Sequence, residues 1–261
     1  MPNFYTENDD IQFQFKHLDL EWVIQLKEEY FADKGKYDYA PKDINDARDS
    51  YHRILDIVGD IAGNIVEPKA AEADQEGAHF ENGEVTYAEA TQEAVDAFKK
   101  ADLMGFTLPR KYGGLNCPVT IFSIAIEIVS RAEAGLMTIV GLQDIAETIN
   151  KFADEEIKAK YLPRFSSGEV TGSMALTEPD AGSDLAGIST TAEEVNGSIV
   201  LNGSKTFISN GINADLVVVA ARDPDVADSY KALSLYLVPA GTPGFKKGRR
   251  LKKMGFHSQD T

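Results

Sequence analysis

Met174-Ala-Leu-Thr-Glu-Pro-Asp-Ala-Gly-Ser-Asp184 is the stretch that decides the reading of this chain. A short apolar run from Gly172 delivers Leu176 and Thr177 to a sharp turn at Pro179. Three small residues follow: Ala181, Gly182 and Ser183. Small side chains leave backbone N–H groups uncovered and let a large flat ligand approach. Such a turn can cradle a pyrophosphate, with the Ser183 hydroxyl as an extra donor. The carboxylates of Glu178, Asp180 and Asp184 argue against direct phosphate contact by those side chains, so they are read as braces of the turn. A plain polar, well-capped β turn has the same composition, and spacing alone leaves both readings open.

Downstream, the pattern has period two. Gly172–Thr177, Ser198–Leu201, Lys205–Ser209, Leu216–Ala221 and Leu233–Val238 read as strands, with Asn196-Gly197, Asn202-Gly203 and Asn210-Gly211 as turn signals. Upstream, the spacing is helical. Ile44, Ala47, Tyr51, Ile54, Leu55, Val58, Ile61, Ala62 and Ile65 share one stripe that Pro68 should stop. Thr86 and Glu89 read as a capping box opening a helix to Gly105. Residues 118–133 and 135–152 predict two more helices, and Asp154 is expected to cap a short one ending before Pro163. The fold class is therefore α+β. Residues 1–48 read as an N-terminal extension with one helix over Asp19–Phe31, residues 49–168 as a helical domain, and residues 169–261 as an incomplete β domain.

The chain has 261 residues and a formal charge of −16, which disfavours nucleic acid and anionic membrane surfaces as partners. One cysteine, Cys117, excludes an intrachain disulfide. The acidic start MPNFYTENDD is unlike a targeting peptide, and no apolar run approaches a membrane span, so a cytoplasmic location is expected. The bases Lys246, Lys247, Arg249, Arg250, Lys252 and Lys253 interrupt the acidity and read by default as a solvated β-ribbon face. No GxGxxG follows a strand. Ile188 stands where a P-loop lysine belongs, and His17, His52, His79 and His257 lack metal-ligand spacing, so no metal site is expected.

Five segments, taken in order, resemble the acyl-CoA dehydrogenase family. ALTEPDAGSD, ending at Asp184, resembles its flavin-binding signature. Met104-Gly-Phe-Thr-Leu-Pro-Arg-Lys-Tyr-Gly-Gly114 resembles its helix-to-loop segment, with Arg110 where the family usually has glutamate. Residues 155–169 resemble the helix leading into its β domain. Asn202-Gly-Ser-Lys-Thr-Phe-Ile-Ser-Asn-Gly211 resembles its second flavin segment, and Lys253–Thr261 a later β-domain motif.

The resemblance implies a helical domain followed by a β-barrel-like or sandwich-like one, and FAD as cofactor. It implies an acyl-CoA thioester oxidised to the trans-2-enoyl-CoA, an electron-transfer flavoprotein as partner, and a homodimer or homotetramer. Met174, Ala175, Leu176 and Thr177 would meet the flavin's polar edge. Gly182 and Ser183 would lie by the pyrophosphate, Ser183 also near the bound acyl-CoA. Phe207 would pack on the flavin ring, with Ile208 beside it and Ser209 near N5. Family relatives carry the general-base glutamate in a C-terminal helical bundle, so the base is expected beyond Thr261 and no catalytic residue is named here. Glu127 reads instead as an i,i+4 partner of Arg131. The alternatives are an acyl-CoA oxidase on the same scaffold and a non-catalytic acyl-CoA- or protein-binding relative.

Overall fold

The structure, a computed structural model, describes residues 2–261. It divides into two compact units. One comprises Met1–His79, Thr86–Glu169 and Lys253–Gln259; the other comprises Phe80–Val85, Val170–Lys252 and Asp260–Thr261.

The first unit is helical. α1 (Asp9–His17) was not foreseen, although its signals are local. The Asn8 side chain caps it by accepting from the Ile11 N–H at 3.1 Å, and Asp9 and Asp10 face the positive end of its dipole. The expected helix over Asp19–Phe31 shrinks to α2 (Glu21–Lys27). Glu29, Tyr30 and Phe31 take φ of +46°, +55° and +65°, which ends any right-handed helix. The chain leaves the helix where the Glu28 side chain turns inward to a buried arginine.

α3 (Ile44–Ile61) starts under an Asp43 cap and buries Ala47, Tyr51, Leu55 and Val58. Pro68 does not stop its path. A π-helical turn (Ala62–Val66) and a 3₁₀ turn (Glu67–Lys69) carry the chain into α4 (Ala70–Glu76). Widening the turn ahead of a proline relieves the clash of its ring with the carbonyl four residues back.

A hairpin of β1 (His79–Glu81) and β2 (Glu84–Thr86) follows, turning at Asn82 and Gly83, both at positive φ. Thr86 is thereby spent in a strand, so the expected capping box does not form. α5 (Glu89–Lys100) has Ala88 at its N-cap with no side-chain bond, and stops before Asp102 at φ +57°.

α6 (Val119–Ala132) follows Pro118 as expected. Arg131 lies over the Phe4 ring at 4.1 Å instead of pairing with Glu127. The helix expected over 135–152 is broken into α7 (Ala134–Gly141), a 3₁₀ turn (Leu142–Asp144) and α8 (Ile145–Phe152). Asp154 caps α9 (Glu155–Ser166), which runs through Pro163 because Leu162 and Phe165, on either side of it, are fully buried. One core joins Phe15 and Ile24 to Leu55, Phe98, Ile121 and Leu136, each contributing about 1.5–3 kcal/mol by burial.

The second unit carries a five-stranded mixed sheet among the described residues. Its centre is β6 (Leu216–Arg222), buried from Leu216 to Ala221. β3 (Gly172–Ala175) pairs with it in parallel, in register Gly172 with Leu216 through Ala175 with Val219. β7 (Leu233–Pro239) pairs antiparallel along its whole length. Val217 and Val219 pack with Ala175, Ala214 and Val238, and Ala220 packs with Ala181 and Ile188, so both faces of β6 are covered and it is a continuous apolar run and not an alternating one. β4 (Thr191–Val195), which was not foreseen, forms a hairpin with β5 (Ser198–Asn202) through the expected Asn196-Gly197 turn.

Lys205–Ser209 is not a strand: Phe207 sits at φ +58°, which no strand accommodates. Asn202-Gly203 is not a turn either, since Asn202 closes β5. The basic run is not a β-ribbon. It is irregular, and the Lys247 ammonium turns back to the carbonyls of Ile212 and Ala214.

Candidate cofactor site

Within the sheet unit, β3 runs directly into the quoted turn. Glu178 and Ala181 exchange both backbone hydrogen bonds, 2.8 Å and 3.2 Å, around Pro179 and Asp180. This is the sharp turn the sequence predicts. It leaves Gly182 and Ser183 exposed just past the corner.

Glu178 braces the turn from inside. Its carboxylate accepts from the Ser189 N–H and hydroxyl, both at 2.7 Å, from the Thr190 N–H at 3.0 Å and hydroxyl, and from the Lys205 ammonium at 2.7 Å. Burial pushes its pKa up, but the bonds from Lys205, Ser189 and Thr190 outweigh this and hold the carboxyl well below the usual carboxylate range. Asp180 and Asp184 have no comparable role: both side chains are exposed.

The loop 203–211 lies against this turn. The Lys205 ammonium also donates to the Leu176 carbonyl at 2.9 Å, and the Thr206 N–H donates to the Thr177 carbonyl at 2.9 Å. The Ser173 hydroxyl donates to the Ser209 carbonyl at 2.8 Å, and the Asn210 amide to the Gly172 carbonyl at 2.9 Å. Asp260 closes the far end. Its carboxylate accepts from the Ile212 N–H at 2.9 Å, and its carbonyl from the Asn210 N–H at 3.0 Å. At Gly203 a Cβ would lie 2.2 Å from the Thr190 hydroxyl, so glycine is required where the loop crosses Thr190.

Eight of the nine expected site residues fall into two groups. Leu176, Thr177, Gly182, Ser183, Phe207 and Ser209 are exposed or half-buried on the two segments that these bonds join. Ala175 and Ile208 pack into the core of the sheet with Ala214, Val217 and Val238, so their side chains serve the sheet. Met174 is half-buried on β3. Lys205 and Asp260 were not singled out from sequence. A lone lysine among the apolar and hydroxyl residues of 203–211 was the available signal for the first; nothing local marks the second.

The polar groups fit a flavin nucleotide. Among the described residues, the hydroxyls of Thr177, Ser183 and Ser209 and the backbone N–H groups of Gly182 and Ser183 have no hydrogen-bond partner. Phe207, 69% exposed, lies on the loop that is bonded to this turn through Thr206 and Thr177. A flat ring with a polar edge and an anionic tail requires this set of donors and apolar wall.

Residues 48–169 match the N-terminal domain of acyl-CoA dehydrogenases, and residues 173–261 match their middle domain. An acyl-CoA dehydrogenase of Bacillus subtilis (strain 168) is 36% identical over 193 residues, covering 70% of this chain and 50% of that protein. A mitochondrial isovaleryl-CoA dehydrogenase of Solanum tuberosum is 38% identical over 166 residues, covering 61% of this chain and 39% of that protein. The crystal structure of an acyl-CoA dehydrogenase from Geobacillus kaustophilus superposes with a TM-score of 0.71 at 32% identity, over 80% of this chain and 53% of that one. The chain spans between 39% and 53% of the length of these relatives. With both domain matches in sequence order across the helical and sheet regions, the chain belongs to the acyl-CoA dehydrogenase family.

Proposed function

We propose that this protein is a flavin-dependent acyl-CoA dehydrogenase that converts an acyl-CoA thioester to its trans-2-enoyl-CoA. The observation that carries the reading is the set of unpartnered donors on Thr177, Gly182, Ser183 and Ser209, with the exposed Phe207 on the loop bonded to the same turn. FAD, when bound, supplies the hydride acceptor for the β-hydrogen. The residues of this chain bind and orient. Leu176 and Thr177 would hold the polar edge of the ring, and Ser209 its central nitrogen. Phe207 would wall one face against water. The N–H groups of Gly182 and Ser183 would receive the pyrophosphate, and the Ser183 hydroxyl would also lie near the acyl-CoA.

Glu178 is not the base that removes the α-proton. All its bonding capacity goes to Ser189, Thr190 and Lys205, and it is held ionised as a brace. Electrons would pass to an electron-transfer flavoprotein, the partner the family resemblance implies.

The test is anaerobic. The native gene product is loaded with FAD and titrated with short, branched and long acyl-CoA thioesters while the flavin absorbance is followed. Bleaching by one class supports the reading and assigns the substrate. A protein that binds no flavin, or whose flavin no thioester reduces, overturns it. Hydrogen peroxide formed in air at the turnover rate would move the assignment to an oxidase.

A further inference from the structure

We propose that Lys205 and Glu178 form a positioning pair that holds the two cofactor segments in register, an inference that rests on the flavin reading above. Their side chains are 10% and 4% exposed. Glu178 directly follows Thr177; Lys205 precedes Phe207 by two residues and Ser209 by four. The ammonium bridges from the Glu178 carboxylate to the Leu176 carbonyl, so one cation touches both sides of Thr177.

The loop that carries Phe207 and Ser209 has no strand pairing of its own. Side-chain bonds and a single backbone bond near Lys205, from Thr206 to Thr177, must therefore set its height against the turn. Ser189 and Thr190 lock the other faces of the same carboxylate, and Gly203 lets the loop pass Thr190 without a clash. A buried ion pair adds little net stability over an apolar substitute, and its best-attested use is to fix register. Here the register is that of Thr177 against Phe207 and Ser209.

The experiment compares Lys205→Met, Glu178→Gln, the double variant and Lys205→Arg with the wild type, all as the native full-length chain. Three quantities are read: thermal stability without flavin, FAD affinity by fluorescence titration, and visible circular dichroism of the bound flavin. Lys205→Met and Glu178→Gln are expected to weaken FAD binding about tenfold or more, the scale of a lost charge-assisted hydrogen bond. They are also expected to change the flavin dichroism, and Lys205→Arg to restore part of both. Folded variants that bind FAD with wild-type affinity and dichroism overturn the proposal. So does failure of both singles and the double to fold, since the pair would then serve the fold alone. If the wild type itself binds no FAD, the functional reading falls first, which separates the two failures.

Discussion

Arg110 grips Glu28 with both ends of its guanidinium: Nη1 reaches Oε2 at 2.6 Å and Nη2 reaches Oε1 at 3.0 Å. The two side chains are 2% and 1% exposed. The Tyr51 hydroxyl donates to the same carboxylate at 3.2 Å, and Asp33 lies 3.6 Å from the guanidinium. The arginine that departs from the usual glutamate of the GFTLPRKYGG segment therefore has a specific counterpart, supplied by the N-terminal region. A glutamate at position 110 would face Glu28 with like charge.

Removing one partner of a buried pair leaves the other charge uncompensated, at a cost of about 3–5 kcal/mol. Glu28→Ala should destabilise the protein by that much, and Arg110→Glu by at least as much. Glu28→Met with Arg110→Met should recover most of the loss. Urea unfolding of the wild type, Glu28→Met, Arg110→Met and their double variant forms a double-mutant cycle that measures the coupling; a coupling energy of zero would refute the pairing.

Phe207 combines exposure with a left-handed backbone at φ +58°. Such a conformation costs a non-glycine residue about 1–3 kcal/mol and persists only where the surrounding structure enforces it. Phe207→Asn should therefore leave the flavin-free protein as stable as the wild type or more so, because asparagine tolerates this region. The same variant should bind FAD more weakly. Parallel melting curves and flavin titrations check both halves.

Asp144 gives a pH dependence of definite sign. Burial raises its pKa, only partly offset by the hydrogen bond that the Thr107 hydroxyl donates to it at 2.5 Å. A carboxyl whose folded pKa lies above its unfolded value favours folding fully at low pH. That contribution is lost as pH rises through the folded pKa. Between pH 3 and 8, on the order of the whole carboxylate range, the stability of Asp144→Asn relative to wild type should rise with pH. Melting temperatures across that range test it, and a difference that stays flat would show that Asp144 titrates normally.

Cys117 is fully buried, and burial, together with the nearby Glu28 charge, pushes its thiol far up. Reactivity follows the thiolate fraction and access. The native protein should resist thiol reagents at neutral pH and react stoichiometrically in denaturant. Fast labelling of the folded protein would contradict the buried placement.

Much of this molecule is written in local chemistry. The stripe from Ala47 to Val58, the proline before α6, the Asp154 cap and the turn at Pro179 need only a few neighbouring residues, so their period and caps reveal them. The five segments that resemble one family are local strings too, and they carried the fold and the cofactor expectation together.

Other features depend on residues far away in the chain. α2 stops early as Glu28 turns inward to Arg110, 82 positions along. The run Lys205–Ser209 looks like a strand but is held as a loop by Leu176, Thr177, Glu178 and Ser173. Ala175 and Ile208 lie inside cofactor motifs yet face the core: Ala175 because β3 is packed against β6 and side chains alternate along a strand, Ile208 because its loop turns that side chain onto the same apolar cluster. Periodicity and composition determined the helical and sheet regions. Only the tertiary structure decided which polar groups kept unpartnered donors for a ligand, since a hydrogen-bond partner is a fact of space and not of spacing.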